Sequence, residues 1–339
     1  MKYKYGCRNL FGFLVFLGLT GLLFSCHRKH EEEPPLKGRT VIVYMIGDNS
    51  LNSDIEPDIN EMERGWNAGF DGHLIVYVDR TRTAPYVLEI TADRSNTVVS
   101  PEVLKYSEQN SSSIGVMEKV LADIKNMYPA ESYGLILWSH ASGWLPATMI
   151  APKTRVFGED NGQYMEITEL AGLSGKYDFL IFDACDMMGI ESAYELRHNA
   201  DYIVGSVTEI LAGGFPYNEI LEYLFMENPD LSSACRKFME FYRSFSYSEM
   251  QTAAMSVVKT ENLNGIASVS RDLIQKYKSR IAEIDVSTIQ KYDSRTTTLF
   301  FDFLDFLENI AEDDADLQTL RNQLSSAVIF EDHTPFILD

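Results

Sequence analysis

From Thr40 onward the chain alternates short apolar runs with longer stretches in which apolar residues return every three or four positions. The runs are Thr40–Ile46, His73–Val78, Tyr133–Ser139, Phe179–Phe182 and Tyr202–Gly205, each bounded by polar residues or glycine. Continuous aliphatic runs this short predict strands buried on both faces of a mainly parallel sheet. Pro85–Ile90 alternates more and predicts an edge strand; Thr252–Val258 is a further strand candidate. Between the runs lie helical patterns at Leu51–Trp66, opened by an Asp48-Asn49-Ser50 cap, and at Ser112–Tyr128. The second of these places Ile114, Met117, Val120, Leu121 and Ile124 on one face. Ile190–His198 and Tyr217–Met226 follow. Strands alternating with helices give right-handed crossovers and an α/β sandwich. From about Leu231 the pattern turns mostly helical, with Glu261–Ile281 and Leu299–Ile310 as further segments. The expected organisation is therefore a core over residues 39–228 and a mostly helical region over 229–339.

The first residues follow another rule. Lys2, Lys4 and Arg8 precede an apolar run from Leu10 to Phe24, then Ser25-Cys26, then abruptly polar sequence. The run is short for a membrane span of about 20 residues and has the layout of an export signal. Its end, Leu22-Leu23-Phe24-Ser25-Cys26, resembles a bacterial lipoprotein signal, with residues 1–25 removed and Cys26 lipidated. Residues 26–38 then read as a charged, Pro-containing tether whose His27 and His30 are solvated. The expected location is the bacterial cell envelope, anchored by lipid to the outer membrane on its periplasmic or surface face.

Composition narrows the classes further. With 45% hydrophobic and 23% charged residues the chain is globular rather than disordered. The net charge of −21 repels phosphate backbones and excludes nucleic acid as an expected partner. A monomer acting on a peptide or protein partner is expected. Of four cysteines, Cys7 leaves with the signal and Cys26 carries lipid, so Cys185 and Cys235 remain. Two cysteines do not make a disulfide scaffold, although a single bridge between them stays open. Cys235 falls in a helical pattern with Leu231, Ala234, Phe238 and Phe241 and reads as a buried structural thiol.

The chemistry concentrates at two strand ends, Leu135–Trp144 (LILWSHASGW) and Phe179–Gly189 (FLIFDACDMMG). Each places a reactive side chain, His140 or Cys185, just past the carboxyl end of a buried strand, where open α/β sheets hold their ligands. An imidazole beside a thiol can take its proton during attack on a carbonyl and return it to the leaving amine. A helix following Cys185 would add amides that favour a thiolate and an oxyanion. No metal motif of the H-E-x-x-H or C-x-x-C type is present, and no G-x-S-x-G elbow.

The segments LWSHASGW and FDACDMMG resemble the His and Cys motifs of the clostripain-like cysteine peptidases, relatives of caspases, legumain and gingipains. Tyr44–Leu51 and Gly205–Tyr217 also resemble that family's first strand and post-nucleophile loop. The resemblance implies a caspase-like three-layer α/β/α sandwich around a mainly parallel sheet, with a helical C-terminal extension. It implies a His140/Cys185 dyad, with the oxyanion held by the amides of Ala141 and Cys185. Asp183, Asn49 and Glu209 would line a pocket for a basic side chain. Self-cleavage in the loop between His and Cys would fall after Lys153 or Arg155. Some relatives need calcium, but Asp48, Asp54 and Asp58 form no recognisable calcium loop, so no cofactor is expected. Three departures stand against the pattern: Ala141 replaces a usual Gly, Ile210–Phe215 lacks an acid some relatives use, and the chain stops at Asp339, around where relatives run into a further Gly-Leu-Ser-containing strand. These leave two rivals open: a non-catalytic lipoprotein that binds peptides, and a cysteine hydrolase of non-peptide amides.

Overall fold

A computed structural model describes residues 36–145, 157–293 and 298–337. The signal, Cys26 and most of the tether lie outside those residues, as do Lys153 and Arg155. The strands are β1 (Lys37–Gly47), β2 (Gly72–Arg80), β3 (Thr83–Glu89), β4 (Glu102–Lys105), β5 (Ala130–Trp138), β6 (Phe157–Asp160), β7 (Gln163–Met165), β8 (Tyr177–Asp183), β9 (Ala200–Gly205), β10 (Ala254–Lys259) and β11 (Val328–His333). The helices are α1 (Ile55–Gly65), α2 (Ile114–Met127), α3 (Ile167–Leu170), α4 (Ile190–Glu195), α5 (Tyr217–Leu224), α6 (Leu231–Arg243), α7 (Leu263–Tyr277), α8 (Phe303–Ile310) and α9 (Asp314–Ala327).

Nine strands form one sheet in the order β11-β10-β9-β8-β5-β1-β2-β3-β4. The block from β9 to β2 is parallel, and the two strands on either side of it run antiparallel. The reason for the parallel block is visible in β1, whose side chains are apolar on both faces. Ile42, Tyr44 and Ile46 pack with Met117, Val120, Leu121 and Ile124 of α2, and that layer continues through α7 to α9. Val41, Val43 and Met45 face the other way, onto α1, α5 and α6. Each fully buried Val, Ile or Leu of such a strand contributes about 1.5–3 kcal/mol relative to exposure. The result is a three-layer α/β/α sandwich.

The first helix begins at Ile55, four residues later than its apolar period suggests. Residues 48–54 instead form turns in which Asn49 accepts from Leu51 N through its side chain and from Asn52 N through its carbonyl. Local side chain to backbone bonds of this kind compete with helix. Among the described residues the region after 229 carries α6, α7 and α8 where its pattern indicates helices, adds α9, and also supplies β10 and β11 to the common sheet. Residues from 36 onward make one compact unit. Among the described residues no helix is long and apolar enough to cross a membrane.

Candidate active site

Strands β5 and β8 are parallel neighbours with Trp138 opposite Asp183. His140 and Cys185 therefore each lie two residues beyond the same register pair, on adjacent loops at the carboxyl edge of the sheet. Between them Ser139 N donates to Asp183 O at 3.4 Å. This juxtaposition follows from the strand register.

On the His side, Ser139 Oγ donates to Ile46 O at 2.8 Å and accepts from Glu159 N at 3.1 Å, tying β5 to β1 and β6. His140 O accepts from Gly158 N at 3.0 Å. His140 Nε2 lies 2.8 Å from Ser50 Oγ, on the loop after β1. Ala141 bridges Phe157 and takes no positive φ, so replacing the usual Gly brings no backbone strain there. The left-handed conformation falls on Gly143, at φ +70°. A Cβ on Gly143 would sit 2.8 Å from Asp186 O and 3.0 Å from the Phe300 ring, so glycine lets the His and Cys loops touch.

On the Cys side, the expected helix does not start at the nucleophile. Residues 184–189 form a turn, Asp186 sits at φ +60°, and α4 opens only at Ile190. The turn is held to the loop after β9 by Asp186 N donating to Thr208 O and Met188 N donating to Ser206 O. Cys185 Sγ lies 3.4 Å from Ile210 N and 3.6 Å from Ile210 O. Burial pushes its thiol up to about 12; Ile210 N–H pulls it down, while Asp186, Glu209 and Asp183 push it further up. The thiol is therefore protonated at neutral pH, and attack requires a base in the same step. Cys185 and Cys235 are both free thiols, with Cys235 fully buried on α6.

Beneath the nucleophile, Asp183 points to the α1/α5/α6 side. Its Oδ2 accepts from Tyr217 OH at 2.8 Å and from Phe215 N at 3.3 Å. Gly214, at φ +52°, lies directly on this carboxylate, and Tyr242 OH donates to Gly214 O at 3.0 Å. Burial raises Asp183 to about 6, and its two donors act against that rise. Asp58 of α1 is equally buried, and its Oδ2 accepts from Trp138 Nε1 at 2.7 Å. Burial first, and the charge of Asp183 second, push Asp58 up to about 9. Glu61 accepts from Tyr217 N at 3.1 Å and is also raised, chiefly by burial.

The other candidate residues are placed less directly. The Asn49 amide donates to Ile46 O and Glu159 O, bracing the loop after β1 against β6. Glu209 is exposed on the loop that carries Ile210. Asp48, Asp54 and Asp58 diverge, since Asp58 is turned inward onto Trp138. Among the described residues no group of three or more His, Cys, Asp or Glu is arranged to hold a metal ion. Ser50 and Asp58 escape the sequence reading as site residues. For Asp58 a signal existed: it shares the buried face of α1 with Ile55, Ile59 and Met62. An acid on an apolar stripe marks a bonded, functional or pocket-facing group.

A parallel α/β/α sandwich with Cys and His at adjacent strand ends is the arrangement of the caspase-like cysteine peptidases. A family model described as the clostripain family matches residues 43–337. The chain superposes on an inactive zymogen C11 protease from Parabacteroides distasonis with a TM-score of 0.79 at 31% identity, covering 90% of this chain and 86% of that one. On a secreted C11 cysteine protease from Bacteroides thetaiotaomicron, solved with an irreversible peptide inhibitor, the values are 0.76, 30%, 88% and 85%. Clostripain from Hathewaya histolytica is 27% identical over 217 residues, 54% of this chain but 41% of that protein's length. The chain belongs to the clostripain family.

Proposed function

We propose that this protein is an exported cysteine endopeptidase that cuts peptide bonds after basic residues, with Cys185 as nucleophile and His140 as its base. The observation that carries the reading is the shared register of the two side chains beyond Trp138 and Asp183. The protonated Cys185 thiol gives up its proton to His140 as sulfur attacks the carbonyl carbon. A thioester then forms as the amine leaves with that proton. The amides of Ala141 and Cys185 are assigned to the oxyanion. Asp183 is assigned to the charge of the basic side chain, with Asn49 and Glu209 at the pocket's wall and rim. The resting thiol also supports a latent form of the intact chain, opened by cleavage after Lys153 or Arg155; one relative is described as an inactive zymogen. A relative described as secreted supports export, and Cys26 is assigned the lipid.

The test uses the chain from Cys26 onward with Cys185→Ala and His140→Ala as controls. Fluorogenic peptides carry Arg, Lys or an uncharged residue before the cut bond. Turnover of basic peptides that disappears in both variants is the expected result. No turnover after processing, with Cys185 also inert to a thiol-directed peptide, would leave a peptide-binding protein instead.

A further inference from the structure

The loop after β9 lies across both groups that peptide cleavage needs open. Ile210 brackets the sulfur with its own backbone, since Cys185 Sγ lies 3.4 Å from Ile210 N and 3.6 Å from Ile210 O. Four residues on, Gly214 at φ +52° is so close to Asp183 that a Cβ there would sit 2.8 Å from Oδ2 and 3.0 Å from Oδ1. Asp183 is only 6% exposed, so in this arrangement no basic side chain reaches its carboxylate. Between these two points the loop is held by little. Among the described residues, the hydrogen bonds tying 210–214 to other segments are those at Cys185 and those from the Tyr242 hydroxyl. That hydroxyl shares its proton between Gly214 O at 3.0 Å and Leu211 O at 3.4 Å. Ala212 and Gly213 are exposed, and the segment belongs to no helix or strand.

We infer that residues 210–214 form a closed gate over the nucleophile and the specificity carboxylate, that Tyr242 is its latch, and that substrate binds the fraction of molecules in which the gate stands open. This rests on the peptidase reading above. The latch stands on a rigid element. Tyr242 is buried on α6, its ring lies 4.6 Å from that of Phe238, and Phe238 lies 4.7 Å from Phe215. The chain is therefore anchored from Phe215 onward, and on the other side by Thr208 O accepting from Asp186 N. Only the stretch between swings, with the glycine pair 213–214 taking up the backbone change. Opening breaks the bonds to Tyr242, lifts Gly214 off Asp183 and frees one side of the sulfur. A guanidinium or ammonium entering the vacated space gives Asp183 new donors and holds the gate open. Substrate affinity scales with the open fraction, so the latch acts on KM, while kcat, set after the substrate is seated, does not depend on it. Removing the Tyr242 hydroxyl leaves the Leu211 and Gly214 carbonyls without a donor when closed, whereas water serves them when open.

The test compares the wild type with Tyr242→Phe, each as the chain from Cys26 onward, in two readouts. The first is the rate at which iodoacetamide alkylates Cys185, located by peptide mass spectrometry. Cys235 serves as an internal monitor, because it is fully buried on the same helix as Tyr242 and reacts only if α6 loosens. Tyr242→Phe is expected to alkylate at Cys185 about fivefold faster, the effect of one net hydrogen bond, with Cys235 unreacted. The second readout is turnover of Arg and Lys peptides by the processed chains. There KM is expected to fall about fivefold, with kcat within about twofold. A Cys185 rate that is unchanged or slower overturns the inference, as does an acceleration shared by Cys235 or a KM that does not fall. If the wild type turns over no peptide, the peptidase reading fails on its own. The alkylation rates then still decide whether Tyr242 holds the loop shut.

Discussion

Two groups of buried carboxylates lie at the carboxyl edge of the sheet, on opposite faces. On the α1/α5 face, Asp183 has two donors, Tyr217 OH and Phe215 N–H, and Asp58 has one, Trp138 Nε1–H. On the α2 face, Asp79 ends β2 with neither oxygen hydrogen-bonded among the described residues. Its neighbour Asp160 takes the Ser111 N–H at 2.5 Å, and the Ser111 hydroxyl already bonds Tyr77 at 2.6 Å. All four acids are nearly inaccessible to water. Burial raises each, to about 6 for Asp183, about 9 for Asp58 and about 7 for Asp79, where the nearby Ser111 hydroxyl acts against the rise and the Asp160, Glu108 and Asp48 charges add to it. The difference teaches that depth alone does not decide the charge of a buried acid. Donors aimed at Asp183 act against its rise, whereas the charge of Asp183 adds to the rise of Asp58 and the charges of Asp160, Glu108 and Asp48 add to that of Asp79.

The strongest way to break this comparison is Asp183→Ala. It leaves the Tyr217 hydroxyl and Phe215 N–H buried without their acceptor, at a cost of about 2–4 kcal/mol of stability. On the pocket assignment it also lowers kcat/KM for Arg and Lys peptides about a hundredfold or more, while uncharged peptides change little. Urea unfolding together with the ratio of basic to uncharged turnover checks both. A stability loss with an unchanged ratio would make Asp183 a brace for the 210–216 loop and nothing more.

Asp79→Asn probes the other face, and here the expected change is a gain. An unfolded aspartate titrates near 4, whereas Asp79 in the fold titrates at about 7. Between those values the folded chain holds a proton that the unfolded chain has released. Stability therefore falls as pH rises through that window, and the loss is complete above it. Asparagine has no such term and can donate to Asp160. The variant should match the wild type near pH 4 and exceed it by about 1–3 kcal/mol at pH 8. An equal difference at both pH values would show that Asp79 titrates in the fold as it does in the unfolded chain.

The parallel block was legible because its strands carry apolar residues on both faces, a pattern that leaves few alternatives. The buried positions Met117, Val120, Leu121 and Ile124 of α2 follow its period directly. The placement of Cys185 and His140 on adjacent loops was legible because each follows such a strand. The short elements β4, β6, β7 and β11 were not: they are three to six residues long, and partners far along the chain define them. Ser50 shows the same limit at the level of one side chain. Its aim depends on Asn49 reaching Glu159, a contact spanning 110 positions, and no local word encodes that. The turn after Cys185 was misjudged for a related reason. Its backbone is fixed by Ser206 and Thr208 beyond β9, which outcompete an immediate helix start.

Tyr217→Phe gives the smallest effect and the sharpest reading of the comparison. It removes one donor from Asp183 without changing shape, so the stability cost should be about 1 kcal/mol. The Tyr217 hydroxyl is the larger of the two contributions holding Asp183 down. Without it the acid titrates higher, and at a fixed pH near neutrality a smaller fraction is ionised. Turnover of Arg and Lys peptides should then fall about threefold at pH 6.5 and recover by pH 8.5, as the higher-titrating acid ionises again. Uncharged peptides should show no such recovery. A loss that is the same at both pH values, or shared by uncharged peptides, would mean that Tyr217 shapes the loop and that donors do not set the charge beneath the nucleophile.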